Sequence, residues 1–143
     1  QIYATDMSPK ALEMAREGVY AESAAASFGR NYQESGGKLR LDDYYSSAYG
    51  RIVVRESLRR NIVFFQHDLA SDYALGEMNV VFCRNVLIYF GAELRDRALS
   101  TFSDCLDYGG FLCLGRNESL PTGAAGNFAV TSASERIYRR RPS

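Results

Sequence analysis

The fold of this chain is decided by one stretch, Asn79-Val80-Val81-Phe82-Cys83-Arg84-Asn85-Val86-Leu87-Ile88-Tyr89-Phe90. Its first part is apolar and short enough to form one buried strand. The cation of Arg84 and the amide of Asn85 then stand where that strand should end. Ligands of open α/β sheets bind beyond the carboxyl ends of the strands, so the pattern indicates a site at a strand terminus. A strand followed by a turn with solvated Arg and Asn side chains explains the same pattern.

Other segments predict the rest of an α/β domain around this strand. Further strands are expected at residues 1–5, 61–66, 111–114, 128–130 and 136–139, the last two as an antiparallel pair. The run 61–66 is so continuously apolar that it should be buried on both faces. Ser8 should cap a helix that begins at Pro9 and ends near Gly18. Residues 92–106 carry one apolar face and predict the clearest helix, whereas residues 139–141 read as a solvated tail.

Composition excludes several classes of protein. At 143 residues the chain forms one domain at most, and its net charge of zero argues against nucleic acid as a partner. No apolar run approaches the roughly 20 residues that a membrane helix needs, and no signal peptide opens the chain. Cys83, Cys105 and Cys113 lie in apolar runs without the close spacing of metal ligands. They are expected to be buried free thiols in a reducing, cytoplasmic compartment.

Four blocks of the sequence carry a family resemblance. The first block is Ala4–Ser8 and the segment after it, which closes at Gly18-Val19-Tyr20. The second is Val63–Leu69 and the third is Cys83–Phe90. The fourth is Gly109–Leu112, which leads to Gly115 and Glu118–Leu120. Together they resemble the CheR-type chemotaxis receptor methyltransferases. The block Cys83–Phe90 is highly specific, and the others, individually weak, occur in the family's order.

The resemblance implies a fold and an activity. The fold would be α/β, with the Rossmann-like sheet of class I methyltransferases, mostly parallel and closed by an antiparallel strand. The enzyme would be an S-adenosylmethionine-dependent protein-glutamate O-methyltransferase of a bacterium. It would transfer a methyl group to glutamate side chains of methyl-accepting chemotaxis receptors and release S-adenosylhomocysteine.

The resemblance also assigns roles to individual residues. It places Asp6 at the cofactor's ribose and Met7 among the cofactor-binding residues, although Asp6 alone could also be a helix cap. Asp68 and Leu69 would lie at the adenine edge, and Arg84 with Asn85 would hold the cofactor. We expect the strand tips that carry Asp6, Asp68 and Asn85 to form the floor of one nucleotide-shaped hollow. No metal site is expected, and His67, the only histidine, should have a surface or capping role.

Tyr89 is the expected catalytic residue. A glutamate carboxylate is already ionised near neutral pH, since its ordinary pKa is about 4.3, so no strong general base is required. Catalysis should come from positioning and from exclusion of water. The Tyr89 hydroxyl would orient one carboxylate oxygen, and its ring would lie near the sulfonium. The alternative is a core aromatic whose hydroxyl is satisfied.

Residues 20 to 60 differ in character from the rest. Tyr49–Arg55 reads as a strand, and residues 38–58 are interpreted as a small antiparallel β-subdomain inserted between parallel strands, with a short helix before it. Some CheR-type enzymes dock a receptor tail along a sheet edge in this position. The basic residues of the segment would suit an acidic receptor surface, but a solvated surface explains them as well.

The chain also lacks parts that such a methyltransferase needs. No G-x-G-x-x-G loop occurs, and residue 1 corresponds in the resemblance to the second strand. Residues 1–143 are therefore interpreted as a partial catalytic domain whose first strand lies outside the chain. We expect this piece alone to be inactive and to bind cofactor poorly. Its unpaired strand edges favour strand exchange in a dimer.

Two other functions remain open at this point. One is a non-catalytic, methyltransferase-like module that binds a receptor or another signalling partner. The other is a related methyltransferase that acts on a small molecule or on an unrelated protein.

Overall fold

A computed structural model describes residues 1–121, 123 and 126–142 of the chain. They divide into two compact units, Gln1–Asp68 and Leu69–Ser143, and each unit is described by itself. Helices and both parallel and antiparallel strand pairs occur in the chain, which is therefore of the α/β class with mixed sheets. Within the described ranges, no helix has the length and apolar character needed to cross a membrane.

The first unit contains two separate sheets. Its elements in chain order are β1 (Ile2–Asp6), α1 (Pro9–Glu17), β2 (Val19–Ala21), α2 (Ser23–Glu34), a 3-10 turn (Leu41–Tyr44), β3 (Tyr45–Ala48), β4 (Arg51–Val54), α3 (Glu56–Arg59) and β5 (Ile62–Gln66). Strands β1 and β5 form a parallel pair, and β2, β4 and β3 form an antiparallel sheet in that order. The parallel pair carries the predicted site residues of this unit.

Helix α1 begins and ends where the sequence predicts. The hydroxyl of Ser8 accepts a hydrogen bond from the backbone N–H of Ala11 at 3.3 Å, and Pro9 occupies the first turn. Gly18 ends the helix with φ of 63°, a left-handed conformation that glycine adopts without steric cost. The predicted helix boundaries are confirmed.

The predicted burial of β5 is wrong. Val63 is 42% exposed, Gln66 is exposed, and Ile62, Phe64 and Phe65 are only half-buried. Within the described residues β5 pairs with β1 alone, and α1 packs against this pair. A two-stranded sheet covered by one helix leaves part of its apolar surface exposed. The continuous apolar sequence of β5 therefore does not lead to burial on both faces.

The segment after β2 is more helical than the sequence suggested. Helix α2 has 12 residues, and Leu41 begins a 3-10 turn. The predicted strand at residues 49–55 begins at Arg51, because Tyr49 and Gly50 form the hairpin turn with φ of 53° and 71°. Two residues with positive φ are typical of a type I′ turn, whose twist matches that of the flanking strands. Strands β3 and β4 lie within the proposed subdomain 38–58, whose boundaries stay a prediction.

The described residues of the second unit form one four-stranded sheet. Its elements are β6 (Met78–Cys83), a 3-10 turn (Leu87–Tyr89), α4 (Ala92–Cys105), β7 (Leu106–Leu114), β8 (Phe128–Ser132) and β9 (Ile137–Arg140). The strand order is β6-β7-β9-β8, with β6 parallel to β7 and the other pairs antiparallel. The predicted closing antiparallel pair is confirmed. The deepest core side chains, all less than 2% exposed, are Leu87, Leu99, Leu106, Leu112 and Leu114.

Two boundaries in this unit differ from the sequence prediction. Strand β7 begins at Leu106 and not at residue 111, because a shift in register after Met78 lets the strand run through Gly109 and Gly110. Arg140 belongs to β9 and is not part of a solvated tail. Its guanidinium lies 4.7 Å from the centre of the Tyr108 ring, so the end of the chain is tied to the sheet.

Candidate functional site

The first unit brings Asp6 close to Asp68 in the fold. Strands β1 and β5 are parallel and in register, with Asp6 opposite Gln66. The backbone N–H of His67 donates to the carbonyl oxygen of Asp6 at 3.2 Å, and half-buried Asp68 follows directly. The two acidic residues therefore lie at the carboxyl ends of neighbouring strands, the edge at which such sheets bind ligands.

The carboxylate of Asp6 is held by the start of α1. Its Oδ1 accepts a hydrogen bond from the backbone N–H of Ser8 at 2.8 Å. The N-cap of α1 is Ser8, so this hydrogen bond fixes the turn that leads into the helix and does not make Asp6 the cap. Because this bond uses one of the two oxygens of an exposed carboxylate, Oδ2 can still accept from a ligand hydroxyl.

The neighbours of this edge are Met7 and His67. The side chain of Met7 is 59% exposed, and its carbonyl oxygen accepts from Nε2 of Gln66 at 3.1 Å. His67 is buried, with 7% of its surface exposed, so the expected surface position is wrong. Its ring lies edge-on to that of Phe65, with 6.4 Å between the centroids.

In the second unit, Arg84 and Asn85 follow the end of β6. Strand β6 ends at Cys83, opposite Leu114 of the parallel strand β7. Both Arg84 and Asn85 are exposed, and Asn85 has φ of 60°. Asparagine is one of the few residues that enters this left-handed region at modest cost. The chain thus reverses sharply here and presents two polar side chains at the strand end.

The loop that carries these side chains is held by Glu118. One carboxylate oxygen, Oε2, accepts from the backbone N–H groups of Asn85 at 2.8 Å and of Gly115 at 2.5 Å. The other, Oε1, accepts from those of Val86 at 2.9 Å and of Leu87 at 2.7 Å. Glu118 is 4% exposed, so a buried anion satisfies four backbone donors that would otherwise lack partners.

The hydrogen bonds also decide the charge of Glu118. Burial by itself favours the neutral acid and raises the pKa of a carboxyl group. The four backbone donors outweigh that effect and hold the pKa of Glu118 below its ordinary value. The side chain is therefore an anion at neutral pH.

Tyr89 and Leu69 differ in their exposure to solvent. Tyr89 lies on the 3-10 turn Leu87–Tyr89 and is 81% exposed, which excludes the core aromatic interpretation. Leu69 is half-buried and packs against the core of the second unit. The buried side chain of Leu87 anchors the turn, so the Tyr89 ring projects from a fixed backbone.

Burial disfavours the thiolate form of the cysteines in this unit. Burial, reinforced by the negative charge of Glu118, raises the pKa of Cys83 to about 12. Burial also raises the pKa of Cys105 and of Cys113, the latter partly offset by the positive charge of Arg84. All three are free cysteines. Across residues 1–121, 123 and 126–142, no cluster of three or more His, Cys, Asp or Glu side chains could hold a metal ion.

Sequence comparison assigns the family. Residues 1–137 match the family described as CheR methyltransferase, SAM binding domain, so the chain belongs to the CheR methyltransferases and carries their S-adenosylmethionine-binding domain. The putative methyltransferase Cher3 of Pseudomonas putida is 41% identical over 140 residues, which is 97% of this chain and 51% of that protein. The chemotaxis protein methyltransferase of Vibrio parahaemolyticus is 36% identical over 137 residues, 95% of this chain and 47% of that protein. The chain spans about half the length of these relatives.

A solved structure gives a weaker match. It is that of an O-methyltransferase family protein from Burkholderia thailandensis, and it covers 61% of this chain and 38% of that one. The TM-score is 0.46 at 18% identity, a similarity too low to define the fold or the function.

Glu118 is the residue whose role sequence reasoning missed. In the sequence it stands out only as a member of the block Glu118–Leu120. The sequence signal was an acidic side chain three residues after Gly115, close to the end of an apolar strand. Nothing in that spacing shows that the carboxylate reaches back across 33 residues to the N–H of Asn85.

Proposed function

We propose that the protein of which this chain is a part is a protein-glutamate O-methyltransferase of methyl-accepting chemotaxis receptors, acting in the cytoplasm. The observation that supports this most is the exposed pair Arg84 and Asn85, presented at a parallel strand end by a loop held on Glu118, in a member of the CheR family. The names of the relatives, chemotaxis protein methyltransferase among them, agree with this proposal.

The residues of the two strand edges fit parts of S-adenosylmethionine. An exposed carboxylate with one oxygen fixed by Ser8 suits a ribose hydroxyl, which supports Asp6 in that role, with Met7 beside it. Asp68 and Leu69 would meet the adenine, since a carboxylate accepts from its amino group. Arg84 and Asn85 would donate to polar groups of the cofactor. Whether the two edges meet in one hollow stays a prediction.

Bound S-adenosylmethionine supplies a methyl group on a positively charged sulfur. The protein then has to bring an already ionised glutamate of the receptor into line with it and exclude water. The exposed hydroxyl of Tyr89 can donate to one carboxylate oxygen and leave the other to react. No proton has to be removed from the attacking carboxylate, because it is already ionised near neutral pH.

The test of this proposal is methyl transfer by the full-length protein. Receptor cytoplasmic domain is incubated with S-adenosylmethionine labelled in its methyl group, and the receptor is then exposed to mild base. Glutamate methyl esters release labelled methanol, so base-labile label that maps to receptor glutamates is the expected result. Label in a base-stable bond, or only in small molecules, contradicts glutamate specificity. A receptor with the labelled glutamates changed to alanine is the matched control.

A non-catalytic receptor-binding module is the second candidate. The observation that favours it is the antiparallel sheet β2-β4-β3, whose outer strand β3 leads into the fully exposed Tyr49. An extended receptor segment could add to such an edge. Receptor binding without measurable S-adenosylmethionine binding, both followed by calorimetry on the full-length protein, would select this candidate.

The behaviour of residues 1–143 alone is a separate proposal. We expect this piece to bind S-adenosylmethionine poorly and to exchange strands in a dimer. Calorimetry with the cofactor and light scattering on the purified piece test the two statements. Tight stoichiometric binding contradicts the first, and a monomer at all concentrations contradicts the second.

A further inference from the structure

The hydrogen bonds of the Glu118 carboxylate all join residues of the second unit. Its four hydrogen bonds go to backbone N–H groups, three of them successive in the chain, at Asn85, Val86 and Leu87. The fourth goes to Gly115 at the end of β7. Glu118 therefore ties the strand end of β6 to that of β7 through main-chain groups alone.

The geometry requires an anion at this position. Each oxygen accepts from two donors, and only a carboxylate offers two acceptor oxygens of this kind. A glutamine has the same shape, but one oxygen is replaced by an NH₂ group that is itself a donor. Whichever way the amide is turned, two of the four backbone donors then face a donor. The four backbone N–H groups therefore require a glutamate at this position, whereas the volume of the site alone would also accept a glutamine.

The backbone held in this way has an uncommon conformation. Asn85 has φ of 60°, which residues other than glycine seldom adopt and which asparagine adopts at modest cost. Its side chain and that of Arg84 are exposed. Since the hydrogen bonds to Asn85 and its two successors fix the local backbone, they also fix the direction in which these two side chains leave it.

We propose that Glu118 is a positioning residue for cofactor binding, which sets the conformation of the loop that presents Arg84 and Asn85. This inference rests on the proposed function, because it assumes that the two side chains bind S-adenosylmethionine. Glu118 itself is buried beneath the loop and acts only through the backbone.

The test compares Glu118→Gln with Glu135→Gln in the full-length protein. Glu135 is an exposed glutamate of the same unit, 3.6 Å from the guanidinium of Arg116, so the control makes the same chemical change at a surface ion pair. Circular dichroism first establishes a temperature at which each variant is folded. Calorimetry with S-adenosylhomocysteine then gives the dissociation constant, and the amide proton shifts of Asn85 and Gly115 report the state of the loop.

We expect Glu118→Gln to weaken binding about tenfold or more and to move both amide resonances upfield, while Glu135→Gln stays within about twofold of the unchanged protein. A purely structural role would lower the unfolding temperature and leave the affinity of the folded variant unaltered. That result overturns the inference. If Glu118→Gln does not fold, Glu118→Asp replaces it, since the shorter side chain keeps the charge but cannot reach all four donors. Unaltered affinity in that variant overturns the inference equally.

The two proposals fail in different ways. An unchanged protein that binds neither S-adenosylmethionine nor S-adenosylhomocysteine overturns the proposed function, and the positioning role with it. Normal binding by the unchanged protein and by folded Glu118→Gln overturns the positioning role alone.

Discussion

The side-chain oxygen of Asn85 lies 2.6 Å from the point at which a Cβ atom on Gly115 would stand. The backbone nitrogen of Asn85 lies 2.9 Å from the same point, and Oε2 of Glu118 lies 2.6 Å from it. Real Cβ atoms do not tolerate such distances. The end of β7 therefore has to carry a glycine if the loop after β6 is to lie against it.

Replacement of this glycine should disturb the loop, because the added Cβ would crowd both Asn85 and the carboxylate of Glu118. Gly115→Ala places a methyl group against Asn85 and Glu118, and we expect a loss of about 1 to 3 kcal/mol in the free energy of unfolding. Cofactor affinity should fall as well. Denaturant unfolding and calorimetry measure the two effects. Gly91→Ala is the control, since a Cβ there meets no heavy atom within 4 Å. Equal stability of the two variants would show that the loop can move aside at no cost.

The backbone and the side chain of Asn85 can be tested separately. Asn85→Ala loses the amide and still has to adopt φ of 60°, whereas Asn85→Gly loses the amide but accepts this conformation freely. We expect the glycine variant to be more stable by about 1 kcal/mol, and both variants to bind S-adenosylhomocysteine weakly. Thermal unfolding and calorimetry check the pair. If the glycine variant bound as tightly as the unchanged protein, the amide would have no part in binding.

Local signals in the sequence predicted the elements that local chemistry decides. Ser8, Pro9 and Gly18 set the limits of α1, and the apolar run after Met78 set β6, because caps and strand periodicity act within a few residues. The position of Asp6 at a strand end followed in the same way. These parts of the fold and of the candidate site can be predicted from the sequence alone.

Interactions between distant residues were not predictable in this way. The burial of β5 depends on which strands and helices lie beside it, and the start of β7 depends on a register shift against β6. The role of Glu118 depends on a reach of 33 residues to Asn85. The spacing of residues along the chain carries no information on which backbone donors will need an acceptor.

Tyr89 should contribute to turnover and not to cofactor affinity. Its ring is 81% exposed on the turn after Asn85, so Tyr89→Phe removes a hydroxyl without opening a core cavity. We expect the full-length variant to lose about tenfold or more in turnover because the carboxylate is less well oriented. The dissociation constant of S-adenosylmethionine should stay within about twofold. Receptor methylation rates and calorimetry give the two numbers, and unaltered turnover would remove Tyr89 from the mechanism.

The three thiols should differ in their rates of alkylation. The thiolate is the reactive form, so a buried thiol of raised pKa reacts slowly. Cys113 is half-buried and lies near the positive charge of Arg84, whereas the pKa of Cys83 is raised to about 12. We expect iodoacetamide at mildly alkaline pH to label Cys113 first and Cys83 last, as followed by peptide mass spectrometry. Alkylation in denaturant, where all three thiols should react at equal rates, is the reference. Equal alkylation rates of the three thiols in the native protein would contradict the burial of Cys83.

The ionisation of Glu118 should appear in the pH dependence of stability. Its pKa is lower in the folded protein than in the unfolded chain, because four backbone donors favour the anion. As the pH falls, the unfolded state therefore takes up the proton first. The stabilisation is complete above the pKa of the unfolded state, about 4.3, and it is lost as the pH falls through the lower pKa of the folded state. Urea unfolding from pH 7 downward should show an advantage of the unchanged protein over Glu118→Gln that is constant at neutral pH and shrinks below about pH 4. Glu135→Gln is the control for the same chemical change, since its carboxylate lies in an exposed ion pair with Arg116. If the stability advantage over Glu118→Gln stayed undiminished in strong acid, the protonated carboxyl group would serve the four donors as well as the anion does. That result would contradict the geometry, in which each carboxylate oxygen accepts from two donors.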